Sequence, residues 1–195
     1  MRIITGKYKG RHFDIPRTFK ARPTTDFAKE NIFNVLIQYI DLEGAAALDL
    51  FSGTGSITLE LLSRGCSQVV SVEMDRDHHR FICDCLKKLS TANDQPSAVL
   101  PLRADVFRFL KSCHQQYDLI FADPPYALKE LPTIPDLVFE KGLLKADGLL
   151  ILEHGKDHDF QQHPHFMEKR TYGSVNFSLF KEQTKLDCCA NQISL

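Results

Sequence analysis

The middle of this chain alternates short apolar segments with amphipathic ones, and that alternation limits its fold more than any other feature. The spacing predicts strands at 45–50, 68–73, 98–103, 118–122 and 149–152, with helices at 57–63, 77–89, 106–113 and 128–139 following the first four. Strands that are apolar on both sides must be covered on both faces, and helices that return the chain across a parallel sheet provide that cover. After residue 165 the pattern changes: 166–171 and 174–180, joined through Gly173, read as an antiparallel pair. The expected architecture is α/β and Rossmann-like, a mostly parallel seven-stranded sheet with a C-terminal antiparallel strand pair.

Two segments flank that unit. Residues 1–16 read as an N-terminal β-hairpin, turning through Gly6 and Gly10 and closed by Pro16. A polar connector with Pro23 leads to a helix capped by Thr25 or Asp26, whose residues Ala28, Ile32, Val35, Leu36 and Tyr39 recur at helical spacing. The division expected is a hairpin extension (1–16), one main domain (17–182) and a tail (183–195).

Apolar residues make up 43% of the chain and charged ones 25%, the balance of a soluble globular protein. No apolar run approaches the roughly 20 residues of a membrane helix, and no signal-like stretch follows Met1, so a cytoplasmic protein without a membrane partner is expected. A monomer is expected as well. The cysteines (Cys66, Cys83, Cys85, Cys113, Cys188 and Cys189) form no CxxC pair and read as reduced thiols. His154, His158, His163 and His165 have no regular ligand spacing, so no metal is expected. The net charge of −1 hides an asymmetry: residues 1–30 carry +5, leaving −6 for the rest. A basic arm on an acidic body suits a polyanion met by one face, with Arg2, Lys7, Lys9 and Arg11 as the candidate contacts.

In open α/β sheets, ligands bind beyond the C-terminal ends of the strands. The first strand ends in Asp49-Leu-Phe51-Ser-Gly53-Thr-Gly55, where the glycines permit a tight turn and close approach of a ligand. Glu73 ends the second strand, 18 residues past Gly55, where a carboxylate can accept both hydroxyls of a ribose. Asp105 follows the third, where an acceptor can meet an adenine amino group. The glycine spacing is not GxGxxG and no Walker lysine follows, which disfavours a dinucleotide or a triphosphate. An adenosine with a small zwitterionic tail, S-adenosylmethionine, fits these positions best, with S-adenosylhomocysteine as its product.

Asp123-Pro124-Pro125-Tyr126 ends the fourth strand and is the sharpest signal in the chain. Two prolines remove two N–H donors, so the Asp123 carboxylate and the Pro124 carbonyl are left as acceptors. Such a rim can hold both hydrogens of an exocyclic base amine and aim its lone pair at an electrophilic carbon. Tyr126 is placed to stack on the base, a contact worth about 1–3 kcal/mol.

The chain resembles the amino methyltransferases with an (Asn/Asp)-Pro-Pro-(Tyr/Phe) motif, and within them one bacterial family. The matching residues are the opening Met1-Arg-Ile-Ile-Thr-Gly-Lys-Tyr-Lys-Gly-Arg11, Arg22-Pro-Thr-Thr-Asp26, Leu48-Asp-Leu-Phe-Ser-Gly-Thr-Gly-Ser56, Leu62-Ser-Arg-Gly65 and Val72-Glu-Met-Asp75. Asp123 to Tyr126, Leu152-Glu-His154 and Arg170-Thr-Tyr-Gly173 complete the series. The family is RsmD, the 16S ribosomal RNA guanine-N2 methyltransferases, and the resemblance covers residues 1–181. It implies a class I methyltransferase fold and a guanine of 16S rRNA as substrate, in the small ribosomal subunit or its assembly intermediate. It also implies that Arg22, Thr24 and Thr25 lie near the methionine end of the cofactor. A DNA adenine-N6 methyltransferase is the alternative, with the same motif, but the chain leaves little room for a separate target-recognition domain.

Overall fold

The computed structural model describes residues 1–19, 25–90 and 98–182. The described residues form a seven-stranded sheet with β1 (Ala46–Leu50), β2 (Gln68–Glu73), β3 (Val99–Arg103), β4 (Tyr117–Ala122), β5 (Leu144–His154), β6 (Phe166–Tyr172) and β7 (Val175–Lys181). The helices are α1 (Asp26–Leu36), α2 (Ser56–Ser63), α3 (Arg76–Leu89), α4 (Val106–Ser112) and α5 (Ile134–Glu140). The strand order is β3-β2-β1-β4-β5-β7-β6. The first five strands pair in parallel, and β7 runs antiparallel between β5 and β6. The expected sheet is therefore the observed one, and its direction reverses between β1 and β4. That reversal opens a crevice at their C-terminal ends.

Strand residues alternate between two buried layers. Ala47, Val69, Leu119, Phe121 and Ile151 pack with α1, α2 and α3, whereas Leu48, Val70, Ile120, Leu150 and Leu152 pack with α4 and α5. The period of two follows from the pleat, and burial on both faces explains why these strands are apolar throughout.

Several boundaries differ from expectation. β5 begins five residues earlier than the apolar run, because a register shift opposite Tyr117 and Leu119 lets the polar stretch around Asp147 join the ladder. The helix expected over 128–139 is a 3-10 turn, Leu131–Thr133, followed by α5. Pro132 and Pro135 lack N–H groups and are tolerated only in first turns. α1 stops at Leu36, so Tyr39 lies outside the helix and is exposed. Its cap is Thr25, whose hydroxyl accepts the Ala28 N–H at 3.2 Å.

The N-terminal segment doubles back but does not form the expected pair of strands. A narrower hairpin takes their place: the bridge Arg2 to His12 is flanked by the Ile3 N–H on the Arg11 carbonyl at 3.0 Å and the Phe13 N–H on the Met1 carbonyl at 2.9 Å. The competing partner is α2: the Ile4 and Thr5 N–H groups bond the Glu60 carboxylate at 2.8 and 3.0 Å, and the Lys7 N–H bonds the Ser63 carbonyl at 2.7 Å. Ile3 and Phe13 are buried in the core beneath. Their burial contributes on the order of 3–6 kcal/mol before the entropy of ordering the segment is subtracted. Glu60, fully buried, also accepts from Arg64 at 2.9 Å, the partnering that a buried carboxylate requires. Cys188, Cys189 and the rest of the tail lie outside the described residues, as do Arg22 and Thr24.

Candidate active site

The crevice at the C-terminal ends of β1 and β4 is a cavity of about 530 Å³. Its near wall begins where β1 ends. Phe51 takes a φ of 59°, a left-handed conformation that is costly for a bulky side chain and is often found where a loop serves a ligand. The turn after it is closed by the Gly55 N–H on the Ser52 carbonyl at 2.7 Å. Gly55 has a φ of 76°, and a Cβ there would lie 2.8 Å from Cγ1 of Ile82. Only glycine meets both conditions, and the turn delivers the start of α2 to the cavity floor.

Three of the expected carboxylates converge on this cavity. Glu73 is oriented by two backbone donors: Oε2 accepts the Gly53 N–H at 2.8 Å and Oε1 the Asp75 N–H at 2.7 Å. Asp105 caps α4, accepting the Arg108 N–H at 2.8 Å. Asp49 is buried on β1 and accepts the Thr58 hydroxyl. Burial, and then the nearby Asp123 carboxylate, push its pKa up to about 7, against the lowering effect of that hydroxyl. Phe51 and Gly53 line the same cavity, and Gly55 acts behind them through the turn. Thr25 is absent from the described lining, and its hydroxyl caps α1. Sequence reasoning missed Met74, His78 and Phe107, which also line the cavity. Met74 and Phe107 sit one and two positions past Glu73 and Asp105, so the strand-end rule could have found them.

The opposite wall is the proline-rich rim. The Asp123 N–H donates to the Leu50 carbonyl at 3.3 Å, tying the rim to the end of β1. Asp123, Pro124, Pro125 and Tyr126 line the cavity together with the glycine turn. The Tyr126 hydroxyl donates to Oε1 of Glu153 at 2.8 Å, while its ring lies against Gly155, where a Cβ would come within 3.1 Å. The ring is 42% exposed, which leaves surface for stacking. Burial first, and then the Asp123 carboxylate, push Glu153 up to about 8. Burial and the Glu153 charge raise the Tyr126 phenol, so it stays a donor. Glu153 was visible in the sequence only as a member of Leu152-Glu-His154; nothing local marks it as facing the rim.

His154, its neighbour, is structural. The Gly155 carbonyl at 2.8 Å fixes the proton on Nδ1, and Nε2 then accepts from the Ser178 hydroxyl at 2.8 Å. Burial lowers its pKa, so the ring is neutral. Among the described residues no group of His, Cys, Asp and Glu is arranged to hold a metal.

Of the candidate contacts, Arg2, Lys7, Lys9 and Arg11 do not line the cavity. Met1 touches the lining residue Thr54, its sulfur 3.6 Å from the hydroxyl, and the Arg2 carbonyl accepts from Lys29, whose ammonium also donates to Ser56 on the lining. The Arg2 side chain pairs with Asp26 at 3.1 Å. Lys7 and Lys9 are exposed around the turn docked on Ser63, the far end of α2. With a rise of 1.5 Å per residue, that turn stands about 11 Å from the lining residue Ser56. Arg11 donates to the Lys88 carbonyl near the end of α3.

Comparison with known proteins places these features in a wider group. The family model described as conserved hypothetical protein 95 matches residues 1–181. The ribosomal RNA small subunit methyltransferase D of Haemophilus influenzae is 30% identical, with 93% of each chain covered. The solved Escherichia coli protein yhhF superposes with a TM-score of 0.79 at 26% identity, covering 94% of this chain and 99% of the other. The fold also matches the Thermus thermophilus 16S rRNA N2 G1207 methyltransferase, solved with AdoMet and guanosine. That match has a TM-score of 0.64 at 18% identity and covers 85% of this chain and 45% of the other.

Proposed function

The chain belongs to the conserved hypothetical protein 95 family, and we propose that it transfers a methyl group from S-adenosylmethionine to the exocyclic N2 of a guanine in 16S ribosomal RNA. One observation carries this reading: a rim without N–H donors at its two prolines faces the glycine turn across a single cavity.

The donor and acceptor set fits the cofactor. Glu73, with each oxygen already held by one backbone N–H, keeps lone pairs for a ribose diol. Asp105 stands where an adenine amino group needs an acceptor, and Phe51 and Phe107, with ring centroids 6.1 Å apart, supply an apolar flank. Asp49 lies at the meeting of the two walls, where a positively charged ligand would favour its ionised form. When bound, the cofactor supplies a methyl group whose bond to positive sulfur breaks as the new N–C bond forms, the electron pair remaining on sulfur.

The protein's own work is orientation. An amine conjugated with a base ring is a weak nucleophile. Accepting its hydrogens at Asp123 and at the Pro124 carbonyl favours a pyramidal nitrogen and directs its lone pair across the cavity. Tyr126 holds the ring from one face. A base reaching this depth must be unstacked, and Tyr126 offsets part of that cost by stacking. The substrate we propose is the small subunit or an assembly intermediate of it. Lys7 and Lys9 would touch backbone phosphates beyond the modified base rather than the base itself.

The test is a methyl-transfer assay with labelled cofactor on small subunits from cells lacking the enzyme. Label in a guanine of 16S RNA, located by mass spectrometry, is the expected outcome. Label in DNA adenine, with none in 16S RNA, would overturn the proposal.

A further inference from the structure

The edge of the sheet that carries the rim continues past it. Ala122 on β4 stands opposite Leu152 on β5, and His154 at the end of β5 stands opposite Asn176 near the start of β7. The turn from β6 to β7, through Gly173, therefore opens on the same edge as Asp123 to Tyr126. Contacts join each step. The Tyr126 ring lies against Gly155, the Asn176 amide donates to the His154 carbonyl at 3.5 Å, and the Thr171 hydroxyl donates to Oδ1 of Asn176 at 2.8 Å. Tyr172 on β6 is three strands from β4, about 14 Å at the usual strand spacing. α1 reaches this edge as well, since Lys29 near its start donates to Ser56 on the cavity lining. There Phe27, the second residue of α1, meets the half-buried Tyr172 edge-on, with ring centroids 6.4 Å apart and planes at 88°.

Phe27 is 65% exposed. A lone exposed apolar side chain is ordinary; this one is held by a second ring from a distant strand, on the edge where the substrate enters. An edge-on contact covers at most one face of either ring. The cations beside the pair are already engaged, Arg2 with Asp26 at 3.1 Å and Arg170 with Glu168 at 2.6 Å. A flat apolar ring among balanced charges suits a base better than a phosphate. Two rings bounded by ion pairs also give too little apolar area for the core of a protein interface.

We infer that Phe27, held by Tyr172, is a stacking platform for an unpaired base of the RNA strand that flanks the modified guanine. This inference rests on the proposed function, which brings the strand to the rim. A base that leaves its stack to enter the cavity deprives its neighbours of a stacking partner, and an exposed ring outside the mouth replaces it. The span from β4 to Tyr172 equals about four stacked nucleotides at roughly 3.4 Å each, so the base in question is a near neighbour of the target in the strand. Stacking releases no counterions, which separates this surface from the phosphate contacts proposed for Lys7 and Lys9.

The experiment measures binding of small subunits from cells lacking the enzyme to native, Phe27→Ala, Phe27→Leu and Phe27→Trp proteins over a range of salt. Phe27→Ala should raise Kd about 10-fold, the order of one lost stacked base, with an unchanged salt slope and unchanged cofactor affinity. Phe27→Trp should restore native affinity, whereas Phe27→Leu, apolar but without a π face, should not. Because Phe27 is exposed, all three variants should melt with the native protein. Benzoylphenylalanine placed at position 27 should crosslink to 16S RNA on illumination. Native affinity in Phe27→Ala, full rescue by Phe27→Leu or a reduced salt slope would each overturn the inference. So would a large drop in the melting temperature of Phe27→Ala, which marks a packing residue, or a crosslink to a ribosomal protein or to nothing. Native protein that neither binds nor methylates small subunits would defeat the proposed function and this surface with it. Native methylation alongside an indifferent Phe27→Ala would defeat this surface alone.

Discussion

The two walls of the cavity use carboxylates in opposite ways. On the glycine-turn side, Glu73 and Asp105 are held by backbone N–H groups, which orient the acids. On the rim side, burial first and then the Asp123 carboxylate push the pKa of Glu153 up to about 8, while Glu153 accepts the Tyr126 hydroxyl. The same chemical group is tied to backbone donors on one wall and buried beside a second carboxylate on the other. Prolines at 124 and 125 withhold such donors from the rim.

The sharpest way to break this contrast is Asp123→Ala. Turnover should fall at least about 1,000-fold while calorimetry shows cofactor affinity nearly unchanged, since the rim acts on the amine. A large loss of cofactor affinity would mean the walls are misassigned. Glu73→Ala should do the reverse. It removes an acceptor whose hydrogen bonds, as those of a charged group, contribute about 1.5–3 kcal/mol each. Cofactor Kd should rise about 100-fold, with kcat at saturating cofactor largely retained.

Asp49, between the walls, sharpens the comparison through pH. Its pKa is raised from 3.8 to about 7 by burial, so the folded protein holds a proton there that the unfolded chain has already lost. Stability from this site is therefore complete below pH 3.8 and declines as pH rises toward 7. Asp49→Asn removes that decline, and urea unfolding should show its stability relative to the native protein increasing from pH 5 to pH 7.5. A difference independent of pH would place the ionisation elsewhere. The smallest effect is expected away from both walls. Lys7→Gln with Lys9→Gln should leave kcat intact and lower the salt dependence of substrate binding by about one to two in log–log slope. An unaltered slope would remove the arm from the phosphate contacts.

Much of this was legible before any coordinates. The short, near-continuous apolar runs and the helices between them fixed the sheet, because strands covered on both faces leave a signal in composition itself. The residues Asp49, Gly53, Glu73, Asp105 and Asp123 to Tyr126 were legible as a site because each ends or closely follows a strand at one edge of such a sheet. The hairpin was less so. Its turn glycines were read correctly, but the donors of Ile4 and Thr5 had a better partner in Glu60, 55 residues or more away. Helix ends at Leu36 and around Pro132 and Pro135 shifted for similar local reasons.

What the chain determined by itself was the order of its elements and the chemistry placed at their ends, since both depend on residues near each other in sequence. The burial of Glu153 behind the rim, the anchoring of Tyr126, the docking of the arm on α2 and the distance of Lys7 and Lys9 from the cavity were decided only in three dimensions. Each joins positions far apart in the chain, or sets how far apart they stand, and their free energies come from burial and from a donor present or missing at the contact. No local pattern carries that information, because the cost of an unpartnered carboxyl is fixed by its neighbours in space.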